Sequence, residues 1–223
     1  MWLGVVIPAY RENAIADTVK ALQKGWRDIA VIVVADDRLT ADAARSVGAM
    51  VVWHPRKRGY GKSLIEGLEL AWFTFDCDLV VEMDVDHPVD AALGMARKLQ
   101  RSKFDLAVGV DNSQSWKLAR KGANALAKKL LGLEVTHPTC GLVAFKQETL
   151  MNLPLHRAKC NGDGVHIELL HLADRLHMGV MDYPFEGHGG ERWYGLRRMW
   201  SWWWCFMRVI RWKYLWGWRD YTK

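Results

Sequence analysis

No run of apolar residues in this chain reaches the roughly 18 uncharged positions that a bilayer-spanning helix needs, so no transmembrane anchor is expected. Cysteine is scarce. The four present (Cys77, Cys140, Cys160 and Cys205) show no CxxC pair and no metal-type spacing, which excludes a disulfide framework and a cysteine zinc site. They read as reduced thiols of a cytoplasmic protein. The first strand starts within two residues of Met1, which leaves no room for a signal peptide. There is no internal repeat and no low-complexity linker.

What is present is a chain of 223 residues, half of them hydrophobic, long enough for one well-buried domain with a short appendage. The formal charge of +6 favours anionic partners: phosphates, an acidic membrane surface or nucleic acid. Short apolar runs predict strands at Leu3–Ile7 (closed by Pro8), Ile29–Val34, Ala49–Trp53, Leu79–Glu82, Asp105–Val110, around Val143 and at Gly179–Tyr183. Between them lie helical patterns. One carries Ala14, Ile15, Val19 and Leu22, another spans 40–47, and a third carries Leu64, Ile65, Leu68, Ala71 and Trp72. A fourth has Ala92, Met95 and Leu99, and a fifth runs from Val165 to Leu176. A basic segment with Lys117, Arg120, Lys121, Lys128 and Lys129 reads as a helix with Leu118, Ala125 and Leu130 inward. Continuous apolar strands alternating with amphipathic helices predict an α/β fold: a Rossmann-like, doubly wound, mainly parallel sheet with helices on both faces.

The composition changes near residue 190. Eight of the thirteen tryptophans fall between Trp193 and Trp218. Leu196, Met199, Trp200, Trp203, Met207, Ile210 and Tyr214 share one helical face, with Arg197, Arg198, Arg208, Arg211, Lys213 and Arg219 interleaved. The expected organisation is therefore a domain over 1–190 and a basic, Trp/Arg-rich amphipathic helical appendage over 191–223.

Chemistry is concentrated in Met83-Asp84-Val85-Asp86-His87-Pro88. A strand places residues i and i+2 on one face, so Asp84 and Asp86 can address one point beyond the strand end. Two hard oxygen donors at that spacing suit Mg²⁺ or Mn²⁺ shared with a phosphate. The competing reading is a helix start with Asp86 as N-cap, which leaves Asp84 without a task. In a doubly wound sheet, ligands bind at the carboxyl ends of the strands. Pro8–Glu12, Asp36-Asp37, the basic loop 54–62 and Asp84–His87 all fall on that edge. Gly61-Lys62-Ser63 imitates the end of a P-loop, but the position that needs the first glycine is Arg56, and that reading is set aside.

Taken in order, these segments resemble family 2 glycosyltransferases of the GT-A fold. Val5-Val6-Ile7-Pro8-Ala9-Tyr10-Arg11-Glu12 resembles the opening "VIPAYNE", and Val33-Val34-Ala35-Asp36-Asp37 the second-strand "VVDD". Arg58-Gly59-Tyr60-Gly61 through Leu68 resembles the "GLGxAxxxGL" loop and helix, and Asp84–Asp86 the DXD motif. Asn124-Ala125-Leu126-Ala127 and Thr139-Cys140-Gly141-Leu142 are similar to segments of the polyprenyl-phosphate (dolichyl-phosphate mannose) synthases. The resemblance implies a metal-dependent inverting transferase. Pro8, Tyr10 and Glu12 would line the base and ribose pocket, Asp36 would accept from the base, and Arg58 and Lys62 would face the diphosphate of a nucleotide-diphosphate sugar. Asp84 and Asp86 would hold Mg²⁺ or Mn²⁺, completed by His188 or by His87. The chain departs from the subgroup in placing His87-Pro88 directly after Asp86, without the usual glutamine. It also keeps Arg192, Gly195 and Arg198 of a late "RxxGxSK" pattern but not the serine, with Arg192 counted in the catalytic set.

Two acceptors follow from this. A polyprenyl phosphate is already an anion and needs no strong base; the Trp/Arg-rich helix would then lie peripherally in a membrane interface, with Arg120, Arg197 and Arg198 on the acceptor. The alternative is a hydroxyl acceptor, such as hydroxymethylated bases in DNA, which needs a base to take its proton. Asp163 is the candidate, with Glu168 as the fallback. A non-catalytic nucleotide-sugar-binding module is a further alternative. No obligate protein partner is expected.

Overall fold

The computed structural model describes residues 1–113, 124–125, 128–129, 132, 134–162, 164–187, 204, 207, 210 and 211. Seven strands, β1 (Leu3–Ala9), β2 (Ile29–Ala35), β3 (Met50–Trp53), β4 (Leu79–Glu82), β5 (Leu106–Asp111), β6 (Val143–Lys146) and β7 (Val180–Phe185), form one sheet. Its order is β3-β2-β1-β4-β6-β5-β7. All pairs are parallel except those of β6, which runs antiparallel between β4 and β5. The inserted strand was legible as a strand but not as a reversed one, because direction depends on the route the chain takes from β5.

The sheet separates two apolar cores. On one face Val6, Ile32, Val34, Val80, Val108 and Phe145 pack against α3 (Tyr60–Glu69) and α6 (Val165–Arg175). On the other, Leu3, Val5, Ile7, Val31, Val33 and Val81 pack against α1 (Ile15–Gly25), α2 (Arg38–Ser46) and α4 (Val89–Gln100). Both faces of the central strands are covered, which is why β1 and β2 read as unbroken apolar runs rather than alternating ones. A short helix not anticipated from the pattern, α5 (Gln147–Asn152), follows β6 directly.

Pro8 does not close β1; the strand continues to Ala9, and Pro8 is paired in register with Val34. The Val6 carbonyl accepts from the Met83 N–H on the β4 side. Pro8, two residues on, turns the same way, past the last β1–β4 pair at Val6↔Glu82, so its missing donor costs no ladder bond. Pro184 is likewise inside β7, at the rim of the sheet, where proline is tolerated.

In the basic segment, Ala125, expected to face inward, is exposed; Asn124 is buried, and Lys128 and Lys129 are exposed. Within the appendage, Trp204 is 75% exposed while Ile210 packs against the α3–α6 core. That part of the presumed membrane-facing stripe therefore meets the domain itself. Among the described residues, no helix is long and apolar enough to cross a membrane.

Candidate active site at the carboxyl edge of the sheet

The ends of β1, β2, β3 and β4 lie side by side, and each delivers polar side chains to one edge. β4 ends at Glu82, and Asp84–His87 form a tight turn in which the His87 N–H donates to the Asp84 carbonyl at 3.1 Å. The Asp84 N–H donates to His87 Nδ1 at 3.0 Å. The carboxylates of Asp84 and Asp86 and the His87 ring offer ligand atoms all within 4.8 Å of one another. Helix α4 begins at Val89 after Pro88, with no side chain capping it. Asp86 is therefore not its N-cap, and both aspartates remain at the strand end. Oxygen donors this close fit a divalent cation. With Nδ1 accepting a backbone N–H, a neutral His87 ring carries its hydrogen on Nε2 and so presents a donor there rather than a lone pair. That geometry fits a contact to an anion better than one to a metal.

The β2 edge is a closed network. Asp36 Oδ1 accepts from His54 Nδ1 at 2.8 Å and from the Ser63 hydroxyl at 3.3 Å. Its Oδ2 accepts from the N–H groups of Arg58 and Gly59 at 3.1 and 3.0 Å. Burial alone would raise this carboxyl; the bonds from His54, Gly59 and Arg58 outweigh it and hold Asp36 below the ordinary carboxylate range. All four acceptor positions are thus claimed within the chain, which leaves a nucleobase none. Asp36 instead pins the basic loop. His54 Nε2 reaches Glu66 Oε2 at 2.8 Å, and Arg58 turns its guanidinium onto the same oxygen at 3.1 Å. Asp37 caps α2 through the Thr40 N–H and accepts from the Arg11 N–H, fixing the turn after β1.

Of the other expected nucleotide contacts, Pro8 is buried within β1, Glu12 is half-buried, and Lys62 is exposed on α3. Tyr10 stands at the edge, 37% exposed, with the Lys57 ammonium 3.7 Å above its ring centre. Glu168 is buried on α6. Its carboxylate accepts from the Lys159 N–H at 3.0 Å and the Cys160 N–H at 2.8 Å, clamping loop 158–162. The two late motifs meet: the Thr139 hydroxyl donates to Asn124 Oδ1 at 3.0 Å. Asp163, His188, Arg120, Arg192, Arg197 and Arg198 lie outside the described residues.

Some of the site escaped the motifs. Glu82 is wholly buried in β4, bonded by the Tyr60 hydroxyl at 3.0 Å and approached by His166 Nδ1 at 3.3 Å. Burial, with Asp84 as a further cause, pushes its carboxyl well above the ordinary range against the Tyr60 bond. A lone carboxylate inside Leu79-Val80-Val81-Glu82-Met83 was the visible signal. Its partners were not visible, because Tyr60 and His166 come from distant helices.

Residues 4–150 match the model of glycosyl transferase family 2. A relative from Methanocaldococcus jannaschii, "Uncharacterized protein MJ1222", is 26% identical over 196 residues, covering 82% of this chain and 79% of that one. Among solved structures, glucosyl-3-phosphoglycerate synthase from Mycobacterium tuberculosis is similar in fold. Its complex with Mn²⁺, UDP and phosphoglyceric acid superposes with a TM-score of 0.71 at 22% identity, covering 93% of this chain and 78% of that one. Its complex with Mn²⁺, UDP-glucose and glycerol 3-phosphate gives 0.63 at 23%, covering 85% and 72%. The family match spans well over half the chain and takes in β1 to β6 with the carboxyl-edge loops that follow β1 to β4: this protein is a glycosyltransferase and belongs to glycosyl transferase family 2.

Proposed function

We propose that the protein is a metal-dependent inverting glycosyltransferase that moves a sugar from a nucleotide-diphosphate sugar to a phosphate-bearing acceptor, a polyprenyl phosphate. The observation that carries this is the Asp84–Asp86 pair at the carboxyl end of β4 in a family 2 domain. Asp84 and Asp86 hold Mg²⁺ or Mn²⁺, which when bound supplies positive charge to the diphosphate leaving group. His87 Nε2–H donates to the diphosphate. Tyr10 and Glu12 border the base and ribose, and Asp36 shapes that pocket by pinning loop 54–59 rather than by touching the base. An acceptor oxygen bonds to the anomeric carbon as the bond to the diphosphate oxygen breaks, and the electron pair leaves with the nucleoside diphosphate. An acceptor already ionised needs no proton removed. A hydroxyl acceptor would call on Asp163, because Glu168 is committed to backbone amides. The exposed Lys128, Lys129 and Arg211 supply a basic surface for the lipid phosphate and an anionic interface.

A small phosphorylated acceptor is a second reading, favoured by the phosphoglyceric acid in the similar synthase structure. The test is to incubate the protein with Mn²⁺ and radiolabelled UDP-glucose or GDP-mannose, offering polyprenyl phosphate, 3-phosphoglycerate or hydroxymethylated DNA. Label in the lipid supports the proposal. Label only in phosphoglycerate or only in DNA overturns the lipid assignment, and no transfer from any sugar nucleotide overturns the donor chemistry.

A further inference from the structure

A carboxyl group fully buried at the end of a core strand costs several kcal/mol unless its hydrogen bonds are met, and an apolar residue would serve the sheet better. Glu82 has 0% exposure, yet among the described residues its Oε2 has no hydrogen-bond partner. Its Oε1 receives the Tyr60 hydroxyl at 3.0 Å and faces His166 Nδ1 at 3.3 Å. The Tyr60 and His166 rings meet edge to face at 5.4 Å. Three elements, β4, α3 and α6, thus converge on one phenol.

The position of that phenol gives the cluster a use. Tyr60 opens α3 at the carboxyl edge and is only half-buried. Glu82 closes β4 and precedes the first aspartate of the metal pair, Asp84, by two residues. Across from them is Gly141, just ahead of β6. A Cβ built on Gly141 would stand 3.1 Å from Asp84 Oδ2 and 3.4 Å from the Tyr60 hydroxyl oxygen. The missing side chain lets the Gly141 backbone close against both groups, so the Tyr60 hydroxyl and the Asp84 carboxylate border the same glycine. The loops assigned to base and ribose follow β1, β2 and β3, and the metal carboxylates follow β4. Gly141 leads into β6, the neighbour of β4 on the side away from β1, so the Tyr60 hydroxyl stands beyond the metal carboxylates in the direction that the sugar of an extended donor would take.

We propose that Glu82 is a positioning residue for sugar transfer: through the Tyr60 hydroxyl, which it orients beside Asp84 and Gly141, it places the sugar of the donor. This deepens the donor reading above and rests on it. Glu82 cannot touch the sugar itself, since nothing reaches it from solvent; Tyr60 makes the contact.

The test measures binding of UDP-glucose and GDP-mannose, and of UDP and GDP alone, with Mn²⁺ by calorimetry on the full chain. It uses the wild type, Tyr60→Phe, Glu82→Leu and Glu82→Gln, each checked by thermal unfolding. Tyr60→Phe and Glu82→Leu are expected to weaken the sugar nucleotide about 5- to 10-fold and to leave the bare diphosphate within twofold, since about one hydrogen bond is lost. Glu82→Gln keeps an acceptor oxygen in place and restores what Glu82→Leu loses. Unchanged sugar-nucleotide affinity in Tyr60→Phe overturns the proposal, as does an equal loss for sugar nucleotide and bare diphosphate. A wild type that binds neither nucleotide class overturns the donor reading instead, and this inference falls with it.

Discussion

The carbonyl oxygen of Cys160 abuts the α-carbon of Gly61 so closely that a Cβ on Gly61 would lie 2.0 Å from it. Loop 158–162 thereby closes against the first turn of α3, the same turn that carries Tyr60, and Asn161 covers Gly59, whose φ of +98° favours glycine. Gly61-Lys62-Ser63 looks like the end of a phosphate loop. Its glycine is required for this backbone approach.

Gly61→Ala must therefore displace backbone rather than a flexible side-chain tip. The expected cost is about 1–3 kcal/mol, typical of overpacking, measured as a lower midpoint in urea unfolding. A variant of unchanged stability would show that the loop yields freely.

Asp84→Asn and Asp86→Asn test the metal pair. Each is expected to reduce sugar transfer by about 10²–10³-fold and to weaken Mn²⁺ binding, with little change in the unfolding temperature of the metal-free protein. Retained transfer in both variants would remove the carboxylates from the proposed mechanism.

Asp36 makes stability depend on pH. Its folded carboxyl titrates below its unfolded value near 3.9, so the unfolded chain binds more protons as pH falls, and stability drops there. The Asp36 contribution is complete above about pH 5, declines as pH falls through the unfolded value, and is gone below the folded one. Asp36→Asn substitutes an amide N–H₂ where donors already point, and is expected to lose about 2–3 kcal/mol at pH 6. The difference from wild type should shrink toward pH 3. Urea titrations at both pH values check this; a constant difference would contradict it.

Glu168→Ala leaves the buried Cys160 N–H without its acceptor, together with that of Lys159. The expected loss is about 2–3 kcal/mol, with faster amide exchange at Cys160 and Lys159. If Glu168 were instead a catalytic base, the variant would keep its stability and its slow exchange and lose only transfer.

Much of this molecule was legible from local pattern. Unbroken apolar runs such as Ile29–Val34 require a sheet covered on both faces, and amphipathic spacing between them sets the parallel crossovers. Acidic and polar residues at the run ends then fall on one edge by topology alone, which is how Asp84 and Asp86 could be placed beforehand. The tertiary structure decided which groups those residues face. Asp36 meets His54 and two backbone amides, Glu82 meets Tyr60 and His166, and Glu168 meets the amides of Lys159 and Cys160. Period and spacing determine the face of an element on which a side chain lies, because they follow from the geometry of a single helix or strand. Whether a carboxylate on that face binds a ligand or the chain's own donors depends on which distant segment packs over it, and that is settled only when the whole sheet has assembled.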